Sequence, residues 1–314
     1  MCLLFLSEIG NNPFSISPLK MTDKNPTAKI RRMERKDFQQ VLDLINSEGW
    51  EYDMSEVDRI NRLDPVSSIV ASVGDVVVGA VTIVMVSGRC LIGHVVIMDG
   101  WRRKGLGKQM IESVLNDMAA RGVDFIEVYS VIDAVKFYQK FDFKIIEELR
   151  TYVKRGLTEA DCAPVLSKKI RDLTLSDLPQ VSALDRKISG FERGAILEAL
   201  MRDFPRQCKG LFAGGKLTGF IMGRTNAIMD DAGPWIMEHP DIEDGQLLLR
   251  ALFSAKRPGC RVIFATSEKN NVARDTLATM GFKSEIDQFR LVRSSKKAKE
   301  FSPGVMTISA FELG

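Results

Sequence analysis

The sequence predicts an α/β protein built as a tandem repeat, in which each copy has a mixed, mainly antiparallel sheet flanked by helices. Its 314 residues exceed what one typical domain needs, so two cores are expected. Strand-like and helix-like patterns alternate in both halves, and each half contains a hairpin signal. A set of residues also recurs at an offset of 140 positions, which two copies of one fold explain most simply. The set is Ile30, Arg31, Met33, Asp37, Phe38, Val41 and Leu44, returning as Ile170, Arg171, Leu173, Asp177, Leu178, Val181 and Leu184.

The composition is that of an ordinary globular protein and argues against several functional classes. Apolar residues make up 45% of the chain and charged residues 27%, and the net charge of +3 is too small for a general polyanion-binding surface. We therefore expect no nucleic-acid partner, and no apolar run is long enough to span a membrane. The five cysteines are scattered without a C-x-x-C pair, so neither a disulfide framework nor a metal site is expected. A reducing, cytoplasmic location follows.

Four segments are predicted along the chain. Residues 1–26 lack the basic and apolar regions of a secretory signal and are expected to be a flexible leader, with Met21 as an alternative start. Residues 27–157 form the first copy. The polar, turn-like residues 158–166 form a linker, and residues 167–314 form the second copy.

The elements of the first copy follow from periodicity and turn residues. Apolar residues at helical spacing predict helices, and runs of β-branched residues predict strands. Gly74-Asp75 is a hairpin signal. The predicted strands are 28–33, 68–73, 76–86, 92–98, 124–129 and one or more within 144–153. The predicted helices are 36–47, 55–63 with Ser55 as N-cap, a long helix after Gly107, and 133–141.

The second copy is expected to repeat this order. A hairpin is predicted over 211–222 around Gly214-Gly215, and a later strand over 261–266. The predicted helices are 177–185, 195–203, 246–254 and 272–280.

The segment from Ile92 to Arg121 indicates a binding site for an anion. An apolar strand pattern breaks at Asp99 and meets a basic, glycine-rich stretch just before the long helix. The first amides of a helix have no acceptor within it, and its dipole adds positive potential there. Gly105 and Gly107 have no Cβ, so a phosphate can approach the backbone closely.

Two common phosphate-binding motifs do not fit this segment. Met110 stands where the dinucleotide fingerprint needs its third glycine, and the frame G-x-x-x-x-G-K-[S/T] is absent from the sequence. The pattern R-x-x-G-x-G does fit, from Arg102 to Gly107. It resembles the pyrophosphate loop of the GNAT acyl-CoA N-acetyltransferases.

A second block strengthens the resemblance. The pattern A-x-x-F-Y-x-K-F-D-F, from Ala134 to Phe143, is similar to a GNAT block found about 30 residues beyond the pyrophosphate loop. Tyr138 falls on the tyrosine of that block, whereas Asp142 replaces its glycine and Val131 stands where Asn is usual. Further segments resemble a two-domain GNAT group with a divergent, YitH-like second domain. They are Glu48-Gly49-Trp50, residues 185–193 around Gly190, and Gly233-Pro234-Trp235.

The resemblance implies acetyl-CoA as the acyl donor, without a metal or a covalent intermediate. The strand segment Val95–Met98 would pair with the pantetheine as an added strand does, and the amides from Arg103 to Lys108 would bind the pyrophosphate. The residues expected to contact acetyl-CoA are Val96, Ile97, Met98, Arg102, Arg103, Lys104, Gly105, Leu106, Gly107, Lys108, Ala134 and Phe137.

Two residues are candidates for proton transfer. Tyr138 would protonate the leaving thiolate, since its reference pKa is about 10 against about 8.5 for a thiol. The alternative is a packed aromatic that only contacts the cofactor. His94 would act as a general base, or else fill a structural place on a buried strand, with water-mediated deprotonation through Glu51 or Asp53 as a competing route.

The acceptor is expected to lie against the loop between the first two helices. Trp50, Glu51, Tyr52 and Asp53 interleave two carboxylates with two aromatics, which suits a cationic amine. A solvated acidic turn over a packed Trp50 is the alternative.

The second copy lacks both the glycine-rich loop and the tyrosine. An acidic, proline-containing stretch replaces the loop, and Leu277 stands at the tyrosine position. These patterns favour an N-acetyltransferase of a small amine, with one active site per chain. A non-catalytic acyl-CoA-binding regulator and a protein-lysine acetyltransferase stay open, and the sequence predicts no oligomeric state.

Overall fold

A computed structural model describes residues 27–225, 230–309 and 313. The predicted leader and Met21 lie outside these ranges. The chain divides into two compact units. Unit 1 takes in the described part of Met1–Met85 together with Ile92–Asp124, and unit 2 takes in Val86–Leu91 with the described part of Phe125–Gly314.

Unit 1 contains the strands and helices of the predicted anion site. Its strands follow the order β1-β2-β3-β4, and β1, β2 and β3 pair antiparallel. The strands are β1 (Lys29–Arg32), β2 (Ile69–Val73), β3 (Val76–Val86) and β4 (Arg89–Ile97). The last residue of β3 and the first three of β4 are assigned to unit 2. The helices are α1 (Phe38–Ser47), α2 (Met54–Leu63) and α3 (Leu106–Ala120).

The apolar face predicted for the first helix is buried. Phe38, Val41 and Ile45 of α1 join a core with Val70 and Val77 of the neighbouring strands. Each fully buried aliphatic side chain contributes about 1.5–3 kcal/mol. The predicted N-cap of α2 is wrong by two residues. Asp53, not Ser55, is the cap, since its carboxylate accepts from the Ser55 amide at 2.8 Å.

Unit 2 contains the remaining elements. Its strands follow the order β5-β12-β6-β11-β10-β9-β8-β7, and β13 pairs with β10. The strands are β5 (Phe125–Val131), β6 (Lys144–Arg155), β7 (Ile170–Asp172), β8 (Cys208–Ala213), β9 (Lys216–Gly223), β10 (Asp230–Met237), β11 (Arg261–Ser267), β12 (Lys283–Arg293) and β13 (Val305–Thr307). The helices are α4 (Ile132–Gln139), α5 (Leu178–Ser189), α6 (Gly194–Asp203), α7 (Ile242–Phe253) and α8 (Asn271–Thr279).

The two copies of the repeat exchange strands within unit 2. Strand β12, the last long strand of the second copy, lies between β5 and β6 of the first and pairs antiparallel with both. In the same way β6 lies between β12 and β11. Neither β12 nor β13 was predicted, because their pairing partners are far away in sequence and no local pattern marks them.

The exchange explains why the compact units do not end at the predicted linker. The strands on either side of residues 158–166 belong to one continuous set of ladders, so most contacts near the linker stay inside unit 2. Within the linker, the Asp161 carboxylate accepts from the Lys154 ammonium at 2.6 Å and from the Thr158 amide at 2.9 Å. The predicted boundaries of the two copies stay a prediction.

The offset of 140 residues reappears in the observed elements. Helix α6 begins and ends 140 positions after α2, at Gly194 and Asp203. The repeated Arg–Asp pairs both form two-pronged ion pairs, Arg31 with Asp37 at 2.7 and 2.8 Å and Arg171 with Asp177 at 2.8 and 2.7 Å. The recurring sequence set thus includes the residues that fasten the first strand of each copy to the turn before its first helix.

Candidate active site

The start of α3 is the centre of the candidate site. Gly105, with φ +82°, is its N-cap, and the first backbone bond of the helix runs from the Gln109 amide to the Gly105 carbonyl at 3.1 Å. The amides of residues 106–108 precede that bond and therefore have no acceptor within the helix. No side chain caps this helix end, and its first turn contains no acid. Such an end attracts an anion through its amides and its dipole.

The Arg102 side chain bonds to groups on several sides of the loop and fixes its conformation. Its Nε donates to the Ile97 carbonyl at 2.7 Å, and its guanidinium forms ion pairs with Glu48, at the end of α1, and with Asp99 at 2.9 Å. Since these acceptors already hold the guanidinium, Arg102 is placed to shape the loop. Arg103, Lys104 and Lys108 are exposed and supply positive potential beside it.

Strand β4 reaches the loop with side chains alternating between core and surface. Val96 is 2% exposed and packs in the unit 1 core, whereas Ile97 and Met98 are half-buried. The Met98 amide donates to the Val78 carbonyl of β3 at 2.9 Å. A Cβ on Gly79 would lie 2.7 Å from Ile97 Cδ1 and 3.0 Å from Met110 Sδ, so a side chain at this position would have to displace the ends of both.

The predicted acceptor loop and His94 come together in unit 1. The Tyr52 ring meets the His94 ring edge-on with centroids 4.6 Å apart, and the Trp50 ring lies 5.6 Å from it. Asn46 fixes the loop, because its side chain donates to the Tyr52 carbonyl at 2.9 Å and accepts from the Tyr52 amide at 2.8 Å. Nothing in the sequence had marked Asn46 for this role.

His94 is buried and bonded to a hydroxyl that the sequence did not single out. Its Nδ1 lies 3.0 Å from Thr82 Oγ1, and its backbone amide donates to the same oxygen at 2.8 Å. A neutral imidazole that accepts the Thr82 hydroxyl at Nδ1 carries its proton on Nε2. Only the opposite tautomer, which donates from Nδ1, leaves Nε2 able to accept a proton.

The two predicted carboxylates of the loop have different surroundings. Asp53 caps α2, and both the amide and the hydroxyl of Ser55 donate to it. Glu51 has φ +54°, a left-handed backbone conformation that costs a non-glycine residue about 1–2 kcal/mol. The loop therefore holds Glu51 in a conformation that its own backbone does not favour, between two aromatic residues.

Tyr138 lies in unit 2, on α4. It is 5% exposed, and its ring meets Phe137 and Phe143 edge-on at 5.2 and 5.8 Å. Burial raises the pKa of its phenol well above the usual value for tyrosine, so the group stays protonated throughout the neutral range. Ala134 and Phe137, on the same helix, are half-buried. The predicted roles of these residues stay predictions.

Of the two departures from the family block, the aspartate has a local explanation and the valine leaves its helix without a side-chain cap. Asp142 takes φ +63°, the left-handed conformation that a glycine adopts freely, and aspartate is among the few residues that tolerate it. Gly281, at the corresponding place in the second copy, has φ +83°. Val131 begins α4 without a side-chain cap, whereas Asn270 caps α8 by accepting from the Ala273 amide at 3.1 Å.

The corresponding helix of the second copy starts differently. Only residues 238–241 separate β10 from α7, against residues 98–105 between β4 and α3. Asp241 caps α7 by accepting from the Asp244 amide at 2.9 Å, and the first turn contains Glu243 and Asp244. Acids thus stand where α3 has glycines and a lysine.

Comparison with known proteins agrees with this geometry. Residues 29–143 match the Acetyltransferase (GNAT) family. The chain carries a GNAT acetyltransferase domain. The N-alpha-acetyltransferase 50 of Danio rerio is 41% identical over 76 residues, which are 23% of this chain and 44% of that protein. The chain therefore spans less than half the length of the curated relative that it matches.

Solved structures share the fold over most of the chain. A candidate acetyltransferase from Pyrococcus horikoshii aligns with a TM-score of 0.74 at 20% identity, covering 94% of this chain and all of the other. A tandem GNAT protein from the clavulanic acid biosynthesis pathway, solved without AcCoA, aligns with a TM-score of 0.63 at 15% identity, covering 87% of this chain and 100% of its own. At such identities the likeness shows the fold alone. The predicted fold class, tandem GNAT folds with mixed, mainly antiparallel sheets, is confirmed.

In the described ranges, no helix is long and apolar enough to cross a membrane. In the same ranges, no three His, Cys, Asp or Glu side chains are grouped as metal ligands would be.

Proposed function

We propose that this protein is an acetyl-CoA-dependent N-acetyltransferase that transfers the acetyl group directly to a small amine. The observation that carries the proposal is the start of α3, where unbonded amides, a left-handed Gly105 and three exposed cations meet without a nearby acidic cap. This chemistry fits a pyrophosphate. The match of residues 29–143 to the GNAT family supports the same donor.

In this proposal, the loop holds the phosphates mainly through its backbone. The amides of residues 103–108 donate to the pyrophosphate oxygens, and Arg102 keeps the loop in shape by its bonds to Ile97 and Glu48. The end of β4, at Val96–Met98, offers backbone groups to the pantetheine. One amide there would polarise the thioester carbonyl as negative charge develops on it.

We place the acceptor amine at the aromatic cluster of Trp50, Tyr52 and His94. Two aromatic rings with Glu51 between them attract a cation by charge and by cation–π contact, each of the latter worth about 0.5–2 kcal/mol. An amine must lose a proton before it attacks, and His94 is the candidate base in the tautomer that donates from Nδ1 to Thr82. A cationic small amine is thus the favoured acceptor class.

Tyr138 is the proposed acid for the leaving thiolate. Burial raises its pKa, which keeps the phenol protonated but increases the free-energy cost of full proton transfer beyond the roughly 2 kcal/mol that reference pKa values give. A hydrogen bond donated to the sulfur as charge builds up costs less than full transfer. We therefore propose that Tyr138 stabilises the thiolate by donation and gives up its proton late.

The decisive experiment is a panel of amines assayed with acetyl-CoA by thiol release, together with a thermal shift with CoA alone. The panel contains neutral amines, diamines and polyamines, a peptide with a free α-amine and a peptide with an internal lysine. Turnover with small amines supports the proposal. Turnover of peptides alone would move the acceptor class toward that of the N-alpha-acetyltransferase relative, and stabilisation by CoA without any turnover would favour a regulator.

A matched pair of variants tests the acceptor site. Glu51→Gln removes the charge and should raise KM for a diamine about 5- to 10-fold while leaving KM for acetyl-CoA unchanged. Asp53→Asn is the control, because asparagine caps a helix as well as aspartate does. Equal KM values for Glu51→Gln and the unmodified protein would remove Glu51 from the acceptor site.

A further inference from the structure

The gap between β10 and β11 in unit 2 is filled by another part of the chain. These two strands pair in parallel only at their beginnings, Asp230 with Val262 and Asp231 with Ile263. Further along β10, the partner is β13, which pairs antiparallel through Trp235 with Thr307 and through Ile236 with Val305. The Met237 amide continues this pairing by donating to the Gly304 carbonyl at 2.9 Å.

The same segment is bonded on its other side to β11 and to the start of α8. The Ile308 amide donates to the Ala265 carbonyl at 3.1 Å, and Thr266 Oγ1 donates to the Met306 carbonyl at 2.5 Å. The Asn270 amide group donates to the carbonyls of Pro303 and Val305, each at 2.9 Å. The segment 303–309 is thus bonded on both edges, as a strand inserted between two others is.

Two glycines let this segment lie against the neighbouring backbone. A Cβ on Gly233 would overlap the Ile308 carbonyl, and a Cβ on Gly304 would overlap the Met237 carbonyl. Gly233 also has φ +147°, which other residues rarely adopt. Val305, Met306, Thr307 and Ile308 are at most 3% exposed. The gap between β10 and β11 therefore fits an extended backbone closely and leaves no room for a side chain at either glycine.

The repeat identifies the part of the first copy that corresponds to this gap. At the offset of 140 residues, Trp235 and Ile236 correspond to Val95 and Val96, the part of β4 that would pair with pantetheine. We propose that residues 303–309 permanently occupy, in the second copy, the slot that the acyl-CoA chain takes in the first, so that each chain binds a single acyl-CoA. This inference rests on the proposed function of the first copy.

The hydrogen-bonding groups of the slot can bind either a pantetheine arm or a peptide strand. A pantetheine arm and a peptide strand both present amide donors and carbonyl acceptors along an extended chain, so either can bond to the edge of a splayed strand. A covalently attached strand has a high effective concentration that a free ligand cannot match. In this proposal, residues 303–309 of the chain itself supply the strand that fills the slot of the second copy.

Hydrogen exchange on the intact protein tests whether residues 303–309 fill the slot permanently. We expect the amides of Val305–Ile308 and Met237 to exchange slowly, as core strand amides do, and to be unaffected by saturating acetyl-CoA. The segment 95–108 should gain protection from acetyl-CoA in the same sample. Rapid exchange at 305–308 without ligand, or added protection there with acetyl-CoA, would overturn the inference. No protection at 95–108 with slow exchange at 305–308 would instead reject the proposed function alone.

A matched pair of variants shows whether Asn270 holds the segment. Asn270→Asp keeps an acceptor for the cap of α8 but loses both donors to the carbonyls of Pro303 and Val305, so exchange at 305–308 should accelerate about tenfold. Asn271→Asp, at the exposed first position of α8, should change nothing there. Equal exchange in both variants would contradict the assigned role. The amide of Ala273 reports whether the cap survives.

Binding stoichiometry completes the test without disturbing the fold of the second copy. Equilibrium dialysis with acetyl-CoA should give one molecule per chain in the unmodified protein. The loop variant Gly105→Asp/Lys108→Asp should bind none. Two molecules per chain in the unmodified protein, with one remaining in the loop variant, would show that the second slot accepts acyl-CoA and would overturn the inference.

Discussion

The first turns of α3 and α7 occupy the same place in the two copies but carry opposite charge. Gly105 at the N-cap and Lys108 in the first turn of α3 leave its amides open, whereas Asp241 caps α7 with Asp244 in the same turn. The preceding loop is also four residues shorter before α7. The corresponding helix end therefore has no side-chain cap in the first copy, whereas a carboxylate of the same turn caps it in the second.

Giving the first turn of α3 the acidic residues of α7 should produce the largest effect, a loss of acetyl-CoA binding. We expect Gly105→Asp, Gly107→Glu and Lys108→Asp together to weaken acetyl-CoA binding at least about 100-fold, because carboxylates would take up the amides and repel the phosphates. Charge-assisted hydrogen bonds to such an anion contribute about 1.5–3 kcal/mol each. Titration calorimetry measures the change, and circular dichroism checks that α3 still folds.

The reverse exchange is its control. Asp241→Gly with Asp244→Gln opens the end of α7 but leaves the short loop and the inserted β13 in place, so no second acetyl-CoA should bind. Because glycine is itself tolerated at an N-cap, loss of the Asp241 carboxylate should cost only about 0.3 kcal/mol of stability. Undiminished binding in the α3 variant would show that the anion site lies elsewhere.

Tyr138 and Leu277 provide the second contrast between the copies. We expect Tyr138→Phe to lower kcat about 100-fold and to change the Kd of acetyl-CoA less than threefold, because only the developing thiolate needs the hydroxyl. Burial raises the pKa of this phenol above the usual tyrosine value of 10.0, so the phenol stays protonated at every pH below 10.0. The unmodified enzyme should therefore show no alkaline loss of kcat from Tyr138 in that range.

Leu277→Met is the matched control in the second copy, where a fully buried side chain occupies the tyrosine position. It should leave kcat unchanged. If Tyr138→Phe reduced kcat and acetyl-CoA binding by the same small factor, Tyr138 would be a packing residue.

The repeated Arg–Asp pairs should have a smaller effect, on stability. Asp37→Asn and Asp177→Asn should each lower the free energy of unfolding by about 1–2 kcal/mol at pH 7, since each carboxylate accepts two bonds from its arginine. Burial opposes the charge of Asp37, yet the bonds from Arg31 and the Glu34 amide lower its pKa below the usual 3.8. The bonds from Arg171 lower that of Asp177 further.

The sign of the pH dependence follows from these shifts. A lowered folded-state pKa stabilises the protein fully above the unfolded value, and this contribution is lost as the pH falls through the folded value. The difference between the unmodified protein and each Asn variant should therefore shrink below about pH 4 in urea unfolding experiments. Asp58→Asn, in a half-exposed pair with Arg62, is the control and should cost under about 0.5 kcal/mol. Equal losses at pH 7 and pH 3 would contradict the linkage.

The smallest expected effect concerns the ion pairs that anchor the two loops. In the first copy Arg102 of the loop pairs with Glu48, and in the second copy Glu238 pairs with Lys187, so the polarity is reversed. Glu48→Gln should weaken acetyl-CoA binding about two- to fivefold, because a partly exposed ion pair is worth at most about 1 kcal/mol. Glu238→Gln should leave it unchanged. A fluorescence titration with a CoA analogue measures both, and equal changes would refute the assignment.

Much of the fold could be predicted because its signals are local. The bounds of β3 and the hairpins follow from runs of β-branched residues and from the turn signals Gly74-Asp75 and Gly214-Gly215, and α2 was placed to within one residue. The repeat itself was visible because Arg31 and Asp37 recur with their spacing. The loop from Arg102 to Lys108 was found from its glycines and its position between a strand and a helix.

The rest of the candidate site depends on contacts that no local pattern encodes. Thr82 meets His94 across the pairing of β3 and β4, and Glu48 meets Arg102 from another part of the chain. The side chains involved are common in any sequence. Asp142 was noted as a departure from the family block, and only its backbone φ explains why an aspartate serves there.

By itself, the sequence determined that the chain has two similar halves and that one of them has an open, basic helix start. Local periodicity, turn residues and charge decide such features, since they act over a few neighbouring positions. Only the tertiary structure decided that β12 lies between β5 and β6, and that β13 fills the gap beside β10. Strand pairing is set by hydrogen bonds between backbones that are almost independent of side-chain identity, so the partner of a strand is chosen by the whole fold.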